Sequence, residues 1–160
     1  MGLSSCIFFL FSEVIVETQD RKLWLSVMAK ADHDFFSSMT EKLLLPEHEF
    51  LRAPEIGSVM VQGRMGGTGN AFNMGEMTVT RCSLRLRACG TTGHGYIQGR
   101  NKMLAQVAAI CDALLQTSEA QAIIRDIIQP LQIRAEQDAA KLARQSAATK
   151  VDFFTMVRGN

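Results

Sequence analysis

Apolar positions along this chain switch between a helical period and a period of two, and the switches divide it into elements. From Asp20 to Ala31, Leu23, Trp24, Val27, Met28 and Ala31 recur at helical spacing, which predicts a helix with Asp20 as its N-cap. A second helix is predicted from Asp34 to Leu45, with Phe35, Phe36, Met39, Leu43 and Leu44 inward and Pro46 ending it. These aromatic stripes read as core packing ahead of a ligand platform. The period then falls to two. Glu47 to Ala53 reads as a short strand anchored by Phe50, and Pro54-Glu55-Ile56-Gly57 as a turn.

A hairpin follows and organises the middle of the chain. Val59, Val61 and Met65 alternate with Ser58, Gln62 and Arg64, with Met60 the exception on the polar side. After a glycine-rich turn, Thr78, Thr80, Cys82, Leu84 and Leu86 share one face. Met77, Val79, Arg81, Ser83, Arg85 and Arg87 share the other. Ala88 to Gly93 makes the next turn, and His94 to Arg100 a further strand, giving a meander of about four strands. In that last strand Gly95, Ile97 and Gly99 oppose His94, Tyr96, Gln98 and Arg100; glycines on one face imply that something packs close against the backbone.

The helical period returns at Gly99 or Asn101. Met103, Leu104, Val107, Ile110, Cys111, Leu114 and Leu115 form an unbroken stripe. Residues 119–128 predict another helix, broken or restarted at Pro130. From Ile133 to Ala147 only Leu142 and small residues line the stripe, which reads as a projecting or partner-contact helix. The class is therefore α+β: a small antiparallel sheet flanked by N-terminal and C-terminal helices, with an extended C-terminal arm. The tail, with Val151, Phe153, Phe154, Met156 and Arg158, is too apolar for a free terminus. It reads as a subunit interface, the alternative being a terminal strand on its own sheet.

Composition narrows the function. At 160 residues the chain is one domain, read as residues 20–160 behind a poorly ordered or mis-assigned extension at 1–19. A net charge of +1 gives no sign of nucleic-acid binding. Cys6, Cys82, Cys89 and Cys111 lack paired spacing, and His33, His48 and His94 form no metal motif, so no metal site is expected. The apolar run Cys6 to Phe11 lacks a preceding cation and is too short to span a membrane; Gly2 invites myristoylation, but Cys6 stands where Ser or Thr is needed.

The candidate chemistry centres on the hairpin. Gly66, Gly67, Thr68 and Gly69 can bare consecutive backbone N–H groups, and Arg64 and Arg81 flank them, so an anion cradle and a plain hairpin loop both fit. Arg64, Arg81, Arg85 and Arg100 are the candidate contacts for an anion or a partner, because the guanidinium fork pairs with phosphate or carboxylate oxygens. A Walker A loop is excluded by the missing Gly-Lys-Ser/Thr, and a dinucleotide fingerprint by the strand after the glycines. The sequence offers no paired carboxylates and no evident nucleophile with its base, so no catalytic residues are assigned.

Several long motifs resemble the small G subunit (PhnG) of the bacterial carbon–phosphorus lyase system. They are Arg-Met-Gly-Gly-Thr-Gly at 64–69, Gly-Glu-Met-Thr-Val-Thr-Arg-Cys at 75–82, Tyr-Ile-Gln-Gly-Arg at 96–100 and Val-Asp-Phe-Phe-Thr-Met-Val-Arg-Gly at 151–159. Trp24 to Ala29 and Arg52 to Gly57 resemble it too, and the resemblance runs from about Arg21 to Asn160. It implies a cytoplasmic subunit of a complex with the H, I and J subunits, supported by an ABC-type L subunit, with two copies in a two-fold assembly. It implies a role in displacing adenine from ATP by a phosphonate such as methylphosphonate, giving α-D-ribose 1-methylphosphonate 5-triphosphate. The I subunit would carry that chemistry and the J subunit the later C–P cleavage. The G subunit would be accessory, with no cofactor of its own, no membrane and no nucleic acid among its partners; the alternatives are a purely structural adaptor of the complex or a free-standing phosphate-ester binding module.

Overall fold

The computed structural model of the chain describes residues 18–41 and 43–149. Helices α1 (Thr18–Ala29) and α2 (His33–Thr40) lead into strands β1 (His48–Arg64), β2 (Ala71–Leu86) and β3 (Thr92–Gln98). Helix α3 (Lys102–Leu114) follows, then α4 (Ala120–Ile123), a π-helical turn at Ile124–Ile128, and α5 (Gln129–Ala148). The α+β class stands, but the antiparallel sheet has three strands, in the order β1-β2-β3.

The count falls short of four because the two strands expected before the glycine turn are one. Pro54-Glu55-Ile56-Gly57 is no turn but the middle of β1. The register slips between Phe50 and Arg52 and again between Arg52 and Glu55. Those irregularities, on a strand at the sheet edge, accommodate a proline that has no N–H to give the ladder.

The face assignment of β2 holds. Thr80, Cys82, Leu84 and Leu86 are buried together with Ile97 of β3. Helix α3 lies across this face with Ala105, Ala108, Ala109 and Ala113 buried. The approach is close because β3 carries glycine at 93 and 95. A methyl group at Gly93 would collide with the Ala109 carbonyl oxygen, and one at Gly95 with that of Ala105. The close packing expected from the β3 glycines is therefore the seat of α3. Asn101 caps that helix, its side chain accepting a 3.0 Å bond from the Leu104 N–H. Leu104, Ile110, Cys111, Leu114 and Leu115 of the expected stripe are buried and the alanines widen it, whereas Met103, also expected inward, is 65% exposed.

Trp24, Met28 and Phe36 complete the core from α1 and α2. Helix α1 begins before Asp20, which lies in its first turn and does not cap it. Helix α2 ends at Thr40, short of the expected Leu45; Leu44 is 92% exposed, so no inward stripe carries the helix on. Asp32 caps it, accepting from the Phe35 N–H at 2.9 Å. Beyond α3 the helical run continues through Pro130. The π turn just before it widens the backbone where the proline ring would meet a carbonyl four residues back. From Gln132 to Thr149 every residue is exposed. The Arg134 guanidinium sits 5.9 Å from the centre of the Phe35 ring, tying the start of α5 to α2.

Candidate functional site

With α3 on one face of the sheet, the other face carries no helix among the described residues. The register arranges its side chains in rows. Arg81 lies between Glu55 of β1 and Tyr96 of β3, Ser83 between Arg52 and His94, and Arg85 between Glu49 and Thr92. Arg81, Ser83 and Arg85 point the same way because successive side chains on a strand alternate. Arginine, hydroxyl, imidazole and phenol groups thus share one open surface.

Its internal bonds are few. Arg81 Nε donates to Glu55 Oε1 at 2.6 Å, and Arg52 Nε lies 3.6 Å from the same oxygen. Both pairs are about half exposed, where such contacts are worth about 0–1 kcal/mol, so an incoming anion can compete with Glu55 for either arginine. Arg85 makes no ion pair among the described residues. It lines a shallow hollow of about 380 Å³ with Glu49, Leu86 and Arg87. Ser83 Oγ and His94 Nδ1 are 2.9 Å apart. The His94 backbone N–H donates to Asp112 Oδ2 at 2.8 Å, which anchors the strand that carries the imidazole.

Asp112 is the centre of the polar structure beneath this surface. It is fully buried and accepts from Arg21 Nη2 at 2.7 Å, Arg21 Nε at 3.2 Å and Trp24 Nε1 at 2.9 Å besides His94 N. Neither it nor the Ser83–His94 contact emerges from the sequence reading. Asp112 is the one charged residue after Lys102 in α3, set among apolar neighbours, and that isolation is the signal. The Ser83–His94 contact depends on strand register and has no local signal. It supplies a hydroxyl and an imidazole on the exposed face of the sheet. The buried thiols are no alternative nucleophiles. Burial pushes Cys82 up to about 11, and burial together with the Asp112 charge pushes Cys111 up to about 12.

The sequence-derived candidates fall into two groups. Arg81 and Arg85 lie on the open face, and Arg100 is exposed just past β3. Arg64, Gly66, Gly67, Thr68 and Gly69 sit at the far tip of the hairpin. Arg64 pairs with Ala71, ten residues before Arg81 on β2, a separation of about 33 Å at about 3.3 Å per residue. Arg64 and Arg81 therefore do not flank one cradle. At the tip, Gly66 and Gly67 take φ of 61° and 82°, the left-handed region that favours glycine. The Gly69 N–H bonds the Met65 carbonyl at 2.9 Å, and Arg64 Nη1 donates to the Gly69 carbonyl at 3.2 Å. The turn thus braces itself with two of the groups a bound anion would use. Val151, Phe153, Phe154, Met156 and Arg158 lie outside the described residues.

Comparison with known proteins decides the family. The PhnG family profile, described as phosphonate metabolism protein PhnG, matches residues 19–159. The chain belongs to the PhnG family. A curated relative, the alpha-D-ribose 1-methylphosphonate 5-triphosphate synthase subunit PhnG of Rhizobium meliloti (strain 1021), is 45% identical over 114 residues. That alignment covers 71% of this chain and 72% of the relative. No helix among the described residues is long and apolar enough to cross a membrane.

Proposed function

We propose that this chain is an accessory subunit of alpha-D-ribose 1-methylphosphonate 5-triphosphate synthase, in phosphonate catabolism. It works in the cytoplasm with the H, I and J subunits and the ABC-type L subunit, in a two-fold assembly that holds two copies of it. ATP is a substrate of the assembly, from which a phosphonate displaces adenine. The observation that carries the accessory role is the Arg81-Ser83-Arg85 row on an open sheet face, backed by the Ser83–His94 contact at 2.9 Å. Such a surface can lend positive charge and hydrogen bonds to phosphoryl oxygens held mainly by another subunit. Arg100 extends the basic margin, and the subunit contact read at Phe153, Phe154 and Met156 lies outside the described residues.

Arg85→Gln tests the anion contact. The variant is expected to join the complex normally while adenine release falls at least tenfold. Unchanged release from an intact complex would contradict the contact. A purely structural role is the second reading, favoured by the internal partners of Arg64 and Arg81, Gly69 and Glu55. Under it, Arg85→Gln leaves activity unchanged.

A further inference from the structure

Strands β1 and β2 run well past the rest of the fold. Strand β3 pairs with β2 only from Val79 to Arg85, so Val59–Arg64 and Ala71–Met77 pair with each other alone. They form a two-stranded finger about 20 Å long. Its side chains do not suit water. Val59, Val61 and Met77 share one face, and Phe72 and Met74 cover Gly63 on that same face. Phe72 is 46% exposed, Met74 66%, Met60 on the opposite face 54%, and Met65 at the tip 76%. Four of the nine methionines in the chain fall between Val59 and Met77. A lone two-stranded ribbon is marginal in water, and an apolar one presents a surface that soluble chains bury.

We infer that this finger inserts into an apolar cleft of a different protein subunit of the synthase. The inference rests on the subunit reading above and adds to it the surface and the mode of contact. Area selects the occupant. One face of the finger offers only about 200 Å², so two copies packed finger on finger bury about 400 Å², well below the roughly 1,200 Å² of a stable pair. Extending such a two-fold contact toward the core sets arginines against arginines if the strands run parallel, or against apolar side chains if they run antiparallel. Nor do the hollows formed by the described residues offer a cleft for a second copy. The finger occupies about 2,000 Å³. The described pockets are open hollows such as that of about 410 Å³ beside Leu43–Pro46 and Leu114. A cleft in a different subunit covers both faces, the edges and the tip, about 800 Å², which is what one partner contributes to an ordinary specific interface. Methionines suit the contact because their flexible thioethers fill irregular surfaces. Arg52 and Arg81 at the base and Arg64 near the tip supply the polar rim.

Methionine oxidation by dilute peroxide, read by peptide mass spectrometry, tests this on the full chain alone and on the complex co-expressed with the H, I and J subunits. Met60, Met65 and Met74 are expected to oxidise at least fivefold more slowly in the complex, while Met103, exposed on α3, serves as the reference. The double variant Phe72→Ser/Met74→Ser is expected to keep its circular dichroism spectrum and fail to co-elute. Equal oxidation in an intact complex overturns the inference, as does normal co-elution of the double variant. Protection in the chain alone assigns the finger to a second copy and also overturns it. Absence of any complex with the unaltered chain contradicts the subunit reading on which the inference stands.

Discussion

Four donor groups converge on the buried Asp112 carboxylate, from α1, from the start of β3 and from the indole of Trp24. A carboxylate taken wholly out of water is tolerable only when its lone pairs are met, and here they are. Replacing it with asparagine keeps the volume, removes the charge that faces Arg21, and turns an amide N–H₂ toward other donors. Asp112→Asn is therefore expected to cost about 3–5 kcal/mol, read as a lower urea midpoint with an unchanged slope. A change under about 1 kcal/mol would mean that the network is incidental. The same residue lies behind the functional surface, since it holds the backbone of His94 in line with Ser83. Nothing in the local sequence around Ser83 announces that contact, because side chains on adjacent strands meet only once register is set.

Elements whose partners lie nearby in sequence were the most legible. The inward face of β2 follows from simple alternation at Cys82, Leu84 and Leu86. The glycine-rich turn, the Asn101 start of α3 and the close packing on β3 were readable from residue type alone. Illegible was the fusion of two expected strands into β1. Pro54 and Gly57 carry turn chemistry, yet pairing with Glu55, Ile56 and Gly57 along β2 overrides it at the sheet edge. The α3 stripe is legible from Leu104 to Leu115, but the alanines beside it are not, because they do not stand out as core until a glycine strand lies beneath them. That contact gives a test. Gly95→Ala drives a methyl group into the α3 backbone and is expected to cost at least about 3 kcal/mol or prevent soluble expression. At Gly57 a methyl group meets nothing within 4 Å, and Gly57→Ala is expected to fall within about 1 kcal/mol of the unaltered chain. Thermal unfolding of the two variants side by side checks the contrast, and equal effects would mean that α3 sits more loosely than the packing implies.

At the scale of the whole molecule, one face of the sheet is closed by α3 and the core, and the other exposes the arginine row and the finger, with Val79 buried between them. Helix α5 adds a second uncovered element, with Ile133 and Leu142 55% and 64% exposed. So much unpartnered surface on a chain of 160 residues belongs to a piece of a larger assembly. The sequence could not give this distribution. Arg64 and Arg81 flank the glycines in sequence, yet the register holds them about 33 Å apart, which leaves the plain hairpin loop of the two readings. An accessory subunit that completes a site should be indispensable to the reaction, whatever its own share of the chemistry. The direct measurement is adenine release from ATP and methylphosphonate by the H, I, J and L subunits, with and without this chain. Release is expected to fall to background when the chain is omitted and to return when it is added back. An equal rate without it would contradict the account.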